Sequence, residues 1–331
     1  MLYQAKIIGT GSYLPSKILT NHDLEKMVET SDEWIFTRTG MRERRIAGEN
    51  EFTSDMGLEA ARSALQRAQI TPEEVDCILV TTSTPDYQTI STACMIQHGL
   101  GAIKASAMDI QAACSGYVYG VCTAKSFIES GMYKNVLVVA SEKLSSIVNY
   151  KDRTTCVLFG DGASACVVSR EKKDGFLIRS MRLGADGAHT SLGMVPAGGC
   201  RLPASAATVD KDLHYIQMHG SEIFKHAVRK MESACKECID LANLTESDVS
   251  WLVPHQANMR IIEAMSKRFQ IPMERVYLTI HKYGNTSASS VGIALDELIC
   301  TQSLQPDTNI LLTAFGFGLT WGAAILTYQK A

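Results

Sequence analysis

The sequence predicts an α/β fold made of two similar halves. Short apolar runs typical of buried parallel strands alternate with segments of helical periodicity along the chain. Two stretches also recur at one spacing of 174 residues: Thr71-Pro-Glu-Glu-Val-Asp-Cys-Ile-Leu-Val resembles Thr245-Glu-Ser-Asp-Val-Ser-Trp-Leu-Val-Pro, and Lys134-Asn-Val-Leu-Val-Val-Ala-Ser resembles Thr308-Asn-Ile-Leu-Leu-Thr-Ala-Phe. Two matches at one spacing indicate a duplicated unit. We therefore expect one half in residues 1–172 and the other in 173–331.

Length and composition are those of a globular protein with a full core. The 331 residues are 46% hydrophobic and 20% charged, and the net charge is −3. This charge gives no general attraction for nucleic acid or for an anionic membrane. No apolar run reaches about 18 residues, and the first residues lack the apolar core of a signal peptide. We expect a cytoplasmic protein that binds neither nucleic acid nor membrane.

The predicted elements of the first half alternate in type. They are a strand over 6–11, a helix over 53–68, a strand over 75–82, a helix over 92–98 and a strand over 135–140. A charged segment, 22–45, precedes the first helix and combines Trp34 with several arginines. Such a segment is either a solvated face or a nucleotide site, where the ring stacks on a base and guanidinium groups bind phosphates.

Cys114 is predicted at a turn between a strand and a helix. The apolar spacing is strand-like at Met108 and Ile110 and becomes helical directly after Cys114, and Gly131 is suited to end that helix. The positive end of a helix lowers the pKa of a thiol and favours the nucleophilic thiolate. Cys114 is therefore the candidate nucleophile, and the alternative is a buried, inert cysteine.

The other cysteines indicate no metal or disulfide framework. Ten scattered cysteines in a chain without a leader are typical of reduced thiols. The one CxxC pair, Cys235 and Cys238, falls inside the helical pattern 222–241 and has no second ligand pair. We expect no metal site.

Two polar residues at strand ends of the second half are candidate partners of Cys114. The predicted strand 249–254 leads directly into His255, and a later segment ends at Asn285. Sites in α/β folds lie beyond the carboxyl ends of strands, so the duplication places all three residues at one edge. Two classes of enzyme use such a set. In a hydrolase His is the general base and Asn orients it; in a carbon–carbon condensing enzyme both donate hydrogen bonds to a thioester oxygen that becomes an enolate.

The motifs around these residues resemble one family, the β-ketoacyl-acyl-carrier-protein synthases III of the thiolase superfamily. They extend from one end of the chain to the other. They are Asp23-Leu-Glu-Lys-Met-Val-Glu-Thr-Ser-Asp-Glu-Trp-Ile, Thr37-Arg-Thr-Gly-Met-Arg-Glu-Arg, Ala112-Ala-Cys-Ser-Gly, Phe159-Gly-Asp-Gly-Ala, Val253-Pro-His-Gln-Ala-Asn, Tyr283-Gly-Asn-Thr-Ser-Ala and Thr320-Trp-Gly. The resemblance implies a thiolase-like, duplicated α-β-α-β-α layered fold and a homodimer.

The resemblance also implies a decarboxylative Claisen condensation without a cofactor. Cys114 would take an acetyl or other short acyl group from coenzyme A. Malonyl on an acyl carrier protein would then lose carbon dioxide and attack that group, giving acetoacetyl carrier protein when the primer is acetyl. His255 and Asn285 would bind the enolate oxygen, and the backbone N–H groups of Cys114 and Phe317 would hold the tetrahedral oxyanion.

Substrate-binding residues follow from the same resemblance. Trp34 and Arg153 would hold the adenine of coenzyme A, Arg38 a phosphate, and Ser221 and Asn258 the pantetheine arm. Thr89 and Phe315 would belong to the acyl pocket. The acidic carrier protein would dock by electrostatic attraction on cationic residues of two helices, which are Lys225, Arg260, Lys267 and Arg268.

Two positions depart from the family pattern and leave the primer open. Phe317 stands where a small residue is usual in the glycine-rich loop, and a positive φ there would strain it. Thr89 stands where some relatives carry a phenylalanine that reaches across the dimer to the floor of the acyl pocket, and a smaller side chain there would permit longer acyl groups, which Phe317 would oppose. The alternative function is therefore a condensing enzyme of secondary metabolism, on the same scaffold, with another primer or acceptor. A dehydrogenase is disfavoured, because Gly9-Thr-Gly11 lacks the third glycine of the dinucleotide motif.

Overall fold

The computed structural model describes residues 3–331, which form a nine-stranded mixed sheet flanked by helices, with two small two-stranded sheets. The strands are β1 (Lys6–Tyr13), β2 (Lys17–Thr20), β3 (Glu43–Ile46), β4 (Cys77–Thr81), β5 (Ser106–Ile110), β6 (Asn135–Glu142), β7 (Gly162–Ser169), β8 (Gly175–Ala185), β9 (Gly193–Met194), β10 (Gln217–Met218), β11 (Trp251–Pro254), β12 (Asn309–Gly316) and β13 (Thr320–Gln329).

The helices are α1 (Asn21–Leu24), α2 (Asp32–Thr39), α3 (Thr53–Ala68), α4 (Thr92–Leu100), α5 (Gly116–Glu129), α6 (Arg153–Cys156), α7 (Ala206–Asp210), α8 (Gly220–Leu241), α9 (Met259–Arg268), α10 (Ile280–Tyr283) and α11 (Ser289–Thr301). No helix within residues 3–331 combines the length and apolar character needed to cross a bilayer.

The large sheet consists of two adjacent sets of strands. Its order is β11-β12-β13-β8-β1-β7-β6-β4-β5, so first-half strands occupy one side and second-half strands the other. β4 runs parallel to β5 and β6, and β11 runs parallel to β12. The chain passes from one set to the other between Ser169 and Gly175. The boundary at residue 172 stays a prediction.

The duplicated unit predicted from the sequence is visible in matching strands and side chains. β4 and β11 begin 174 residues apart, as do β6 and β12. Asn135 Nδ2 donates to the carbonyl that ends the turn before β4, and its Oδ1 accepts from Ser169. Asn309 makes the same two bonds in the second half, where its Oδ1 accepts from Thr327. The halves thus share buried polar contacts as well as topology.

Alternating side chains of the strands build five layers, as the thiolase-like fold predicts. On β6, Leu137 faces α3 and α4 while Val138 faces the central helices α5 and α11. On β12, Leu311 faces α8 and α9 while Leu312 faces the same central helices. Both faces of each strand set are therefore buried, which explains the continuous apolar runs in the sequence.

The CxxC pair lies in the core rather than at a ligand site. Cys235 and Cys238 are fully buried on the inner face of α8, and Cys238 Sγ donates to the carbonyl of Ala323. Within residues 3–331 there is no group of three potential metal-ligating side chains.

Candidate active site

Three elements bring Cys114, His255 and Asn285 to one cavity of about 800 Å³. Cys114 lies in a single helical turn between β5 and α5, His255 directly follows β11, and Asn285 follows α10. All three side chains are buried, with less than a tenth of their surface exposed. The strand ends of the two halves meet here, as the repeat predicts.

Glycines hold the backbone close around the three residues. Gly316, at the end of β12, lies so near the nucleophile turn that an added Cβ would be 2.7 Å from the Cys114 nitrogen. Gly284 has φ +63, a conformation that favours glycine, and it turns the chain so that the Asn285 N–H donates to the Leu158 carbonyl at 2.9 Å. The loop geometry therefore fixes the backbone on both sides of the cavity.

The Asn285 amide is held with its nitrogen free to serve as a donor. Its Oδ1 accepts a hydrogen bond from the Ser287 N–H at 2.8 Å. Because the carbonyl end of the amide is used in this way, the assigned orientation leaves Nδ2 as the group for a ligand in the cavity.

His255 is a neutral imidazole, and its hydrogen-bond partners assign the ring proton to Nε2. Burial lowers its pKa to about 3. Nδ1 is 2.6 Å from the Ser290 hydroxyl oxygen, and that oxygen also accepts from the Gln256 N–H at 3.4 Å. Among the hydrogen bonds of the described residues, this hydroxyl has no acceptor other than Nδ1, so we assign its hydrogen to Nδ1 and the ring proton to Nε2.

These two orientations separate the reaction classes left open by the sequence. A hydrolytic base needs an unprotonated nitrogen near the thiol and an Asn that accepts from the other ring nitrogen. Here Ser290 occupies Nδ1 of His255, and the Asn285 oxygen is bound by a backbone N–H. The pair consists of two hydrogen-bond donors, the arrangement that stabilises an enolate or oxyanion.

The lowered pKa expected for Cys114 is wrong for this structure. Burial raises the pKa of the thiol to about 12, and the charge of buried Glu142 also raises it, whereas a hydrogen bond from Ser287 lowers it. The sequence correctly placed the thiol at a helix start, but it gave no measure of how completely the sulfur is removed from water. Cys114 is therefore a thiol in the free enzyme.

The Phe317 backbone adopts a conformation open to any residue. It is not among the non-glycine residues with positive φ in the described chain, and the positive φ of the loop, +133, belongs to Gly318. The Thr320 hydroxyl is 2.8 Å from the Ala112 carbonyl and 3.2 Å from the Phe317 carbonyl. This hydroxyl fixes the loop to the nucleophile turn, and the strain considered for Phe317 does not occur.

The predicted coenzyme A residues form a cation–π stack beside the cavity. The guanidinium carbon of Arg38 lies 4.4 Å from the ring centroid of Trp34, and that of Arg153 lies 4.7 Å from it. Asn258 connects the stack to the cavity, because it lines the cavity and donates to the Arg38 carbonyl at 3.1 Å. Ser221 lines the same cavity at the start of α8.

The comparisons with known proteins point to one family, and the similar proteins match nearly the whole chain. The family model described as 3-oxoacyl-[acyl-carrier-protein] synthase III matches residues 108–187, and the model of its C-terminal part matches 239–328. The β-ketoacyl-[acyl-carrier-protein] synthase III of Chlamydia trachomatis serovar D is 57% identical over 323 residues, which cover 98% of this chain and 99% of that one. The chain belongs to the β-ketoacyl-acyl-carrier-protein synthase III family.

Other members support the assignment. The synthase III of Caldanaerobacter subterraneus subsp. tengcongensis is 53% identical, with 98% of each chain covered. The crystal structure of 3-oxoacyl-[acyl-carrier-protein] synthase III from Aquifex aeolicus VF5 matches with a TM-score of 0.89 and 49% identity, covering 98% of this chain and 100% of that one. The protein is accordingly a condensing acyltransferase with a thiolase-like fold.

A second, smaller cavity of about 470 Å³ adjoins Cys114 in this synthase III. It is lined mainly by apolar side chains, including Leu144, Ile147, Val195 and Ile216. These residues come from separate segments, and no pattern in the sequence singled them out. Of the two residues assigned to the acyl pocket, Phe315 lines the larger cavity, and Thr89 is exposed and lines neither cavity of its own subunit. The assignment of Thr89 to the pocket of the other subunit stays a prediction.

The cationic residues assigned to carrier-protein docking separate into two groups. Lys225 and Arg260 line the larger cavity, and Lys225 is paired with Glu222 at 2.8 Å. Lys267 and Arg268 lie in the last turn of α9, where Arg268 is 3.4 Å from Glu232. Only the first group is adjacent to the cavity of this synthase III.

Proposed function

We propose that this protein initiates type II fatty acid synthesis by condensing acetyl-CoA, or another short acyl-CoA, with malonyl-acyl carrier protein. The products are acetoacetyl carrier protein, coenzyme A and carbon dioxide, formed through an acyl thioester on Cys114. The observation that carries the proposal is the pair of neutral donors, His255 Nε2–H and Asn285 Nδ2, in one buried cavity with a thiol.

The first half-reaction transfers the acyl group to Cys114. The sulfur attacks the thioester carbonyl of the acyl-CoA, and the backbone N–H groups of Cys114 and Phe317 stabilise the oxyanion. The carbon–sulfur bond to coenzyme A then breaks. Because the pKa of Cys114 is raised, the thiol loses its proton as it attacks, and that proton leaves on the coenzyme A sulfur.

The second half-reaction forms the carbon–carbon bond. The bond between the malonyl methylene and its carboxylate breaks, carbon dioxide leaves, and the electron pair forms an enolate. His255 and Asn285 bind the enolate oxygen in an enclosed site, where hydrogen bonds to charge are strong. The enolate carbon attacks the acyl carbon, and Cys114 leaves as a thiolate and takes a proton. The substrates and Cys114 account for every electron, and the proton that restores the Cys114 thiol is taken up from solvent, so the proposal includes no cofactor.

The substrates bind through the residues around the larger cavity in this proposal. The stack of Trp34, Arg38 and Arg153 holds the nucleotide of the acyl-CoA. Ser221 and Asn258, which line the cavity, bind the pantetheine arm that leads to Cys114. The malonyl carrier protein uses the same opening, and Lys225 and Arg260 at its wall attract its acidic surface.

We also propose a homodimer formed along β5. This strand is an edge of the large sheet, and Met108 on it is exposed, as are Tyr87 and Ile90 in the loop between β4 and α4. An unpaired edge with apolar side chains is suited to pair with a second copy. Such pairing would place Thr89, exposed in the same loop, against the other subunit. Light scattering of the purified protein tests whether it is a dimer, and the interface variant Met108→Lys should weaken that dimer.

Two observations favour the alternative function, in which the condensing enzyme uses another primer or acceptor. Phe317, a bulky residue in the glycine-rich loop, lies beside Cys114. A structure described as the priming β-ketosynthase of the R1128 polyketide pathway is also 33% identical, with a TM-score of 0.91 and coverage of 99% of this chain and 97% of that one. The two functions differ in substrate rather than in site chemistry.

Intact-protein mass spectrometry tests the proposal directly. The protein and its Cys114→Ser variant are incubated briefly with acetyl-CoA and longer acyl-CoAs, and then malonyl carrier protein is added. We expect one acetyl adduct on the wild type, none on the variant, and loss of the adduct when malonyl carrier protein is added. An adduct only from a longer or aromatic acyl-CoA would support the alternative, and no adduct from any donor would exclude both.

A further inference from the structure

Phe317 occupies an unusual position between the two cavities of the active site. The larger cavity contains the residues proposed for coenzyme A, and the smaller one is mainly apolar. Of the residues that the structure describes, only Cys114, Phe159 and Phe317 line both cavities. The Phe317 ring is thus part of the wall beside the reactive sulfur.

The ring has room because the residue facing it is a glycine. An added Cβ at Gly193, the first residue of β9, would lie 2.4 Å from the ring atoms Cδ1 and Cε1 of Phe317. Contacts that short do not occur between unstrained carbon atoms. The Phe317 ring therefore occupies the space that a side chain at residue 193 would need.

The loop keeps the ring in this place. Phe317 lies between β12 and β13, and its carbonyl is held by the Thr320 hydroxyl, which also contacts the Ala112 carbonyl next to the nucleophile turn. The positive φ of the loop is taken by Gly318. A phenylalanine at 317 is therefore accommodated without backbone strain, so its side chain is free to serve a function.

We propose that Phe317, seated on Gly193, is a specificity-determining residue that sets which acyl groups Cys114 accepts. The inference rests on the proposed function, because it concerns the acyl group transferred to Cys114. An acyl chain that leaves the sulfur for the smaller cavity passes the ring. Removing the ring would connect the two cavities, and the added space beside Cys114 would admit longer straight-chain or branched acyl groups.

The test measures the ratio of hexanoyl-CoA to acetyl-CoA acylation rates at Cys114 by intact-protein mass spectrometry. Phe317→Gly and Phe317→Ala should raise this ratio by about tenfold, the discrimination that one or more methylene groups give in an apolar site. Phe52→Ala serves as the matched control, since Phe52 is exposed and lines neither cavity. Its ratio should equal that of the wild type.

A double-mutant cycle tests the pairing with Gly193. Gly193→Ala should change the ratio in the wild type, because its Cβ displaces the ring, and should have no effect in the Phe317→Gly background. A ratio in Phe317→Gly within twofold of the wild type, or an equal effect of Gly193→Ala in both backgrounds, would overturn the proposal. If the wild type forms no Cys114 adduct with any acyl-CoA, the proposed function fails as well. Acylation with an unchanged ratio rejects the role of Phe317 alone.

Discussion

The hydroxyl oxygen of Ser290 lies 2.6 Å from Nδ1 of His255 and also accepts the Gln256 N–H. This contact joins the first turn of α11 to the end of β11. With the hydroxyl as donor to Nδ1, the neutral imidazole carries its proton on Nε2. In the proposed reaction, Ser290 is therefore a positioning residue that acts on the enolate through His255.

Ser290→Ala should impair condensation and spare acylation. Without the hydroxyl, the proton of His255 is no longer directed to Nε2, so a donor to the enolate oxygen is lost for part of the time. We expect malonyl decarboxylation to slow by about tenfold, less than the 100-fold or greater effect of removing an oxyanion donor outright. Single-turnover measurement of the two half-reactions tests this expectation.

The adjacent Ser289 provides the matched control. It is equally buried, but its hydroxyl donates to the Thr286 carbonyl. Ser289→Ala should leave the ratio of the two half-reaction rates unchanged. Equal slowing of acylation and condensation in Ser290→Ala would show that Ser290 has only a structural role.

The raised pKa of Cys114 predicts a steep pH dependence of alkylation. Since only the thiolate reacts, and the pKa is about 12, the rate with iodoacetamide should rise about tenfold per pH unit from pH 7 to pH 10. Peptide mass spectrometry must assign the site, because Cys94, Cys200 and Cys300 are exposed. A plateau below pH 9 at Cys114 would contradict this prediction.

Two variants should shift the pH dependence of Cys114 alkylation in opposite directions. Glu142→Gln removes a buried negative charge that raises the pKa of Cys114, so the alkylation rate at pH 8 should increase, by about threefold or more. Ser287→Ala removes the hydrogen bond that lowers this pKa, so the rate should fall. Shifts of the same sign in both variants would show that altered access to the sulfur, rather than charge, controls the rate.

Much of the fold was predictable because the duplication leaves local patterns. The spacing that links the segment before β4 to that before β11 holds in the structure, since Pro72–Glu74 and Glu246–Asp248 form equivalent single helical turns. The alternation of short apolar runs with helices likewise gave the α/β class. These features depend on neighbours in the sequence, which periodicity can detect.

The parts that were missed depend on contacts between distant segments. Ser290 is 35 positions from His255, and its role depends on which atom accepts its hydroxyl hydrogen. The walls of the smaller cavity come from segments that include Leu144, Val195 and Ile216. Burial reversed the expected shift in the pKa of Cys114, because burial is a property of the assembled layers. The residue types near Cys114 do not determine how deeply its sulfur is buried.

Gly11→Ala should destabilise the fold where α3 crosses β1. A Cβ at Gly11 would be 2.4 Å from the Ala60 carbonyl oxygen and 2.5 Å from the Ala64 nitrogen. Both are helix backbone atoms, so the overlap requires α3 to move. We expect the free energy of unfolding to fall by about 3 kcal/mol, measured by urea denaturation. Gly199→Ala is the control, because a Cβ there meets no atom within 4 Å; equal loss in both variants would contradict the packing argument.

Charge reversal at Arg260 should weaken use of the carrier protein without affecting acylation. Arg260 lies in the first turn of α9 at the wall of the larger cavity, where the proposed docking uses its charge to attract the acidic carrier protein. With Arg260→Glu we expect kcat/KM for malonyl carrier protein to fall about tenfold, and the difference from wild type to shrink as salt increases. The rate of acetyl transfer from acetyl-CoA to Cys114 should stay within twofold of the wild type.

Lys172→Glu is the matched control for that experiment. Lys172 is exposed in the turn between β7 and β8. β7 runs antiparallel to β6 and begins at Gly162, beside the last residue of β6. The turn after β7 therefore lies at the strand ends that face away from Cys114. The two variants carry the same change in net charge, so a general repulsion of the carrier protein would slow both equally. An effect confined to Arg260→Glu, with acylation preserved, places the docking surface at the opening of the larger cavity; equal losses in both half-reactions would remove Arg260 from it.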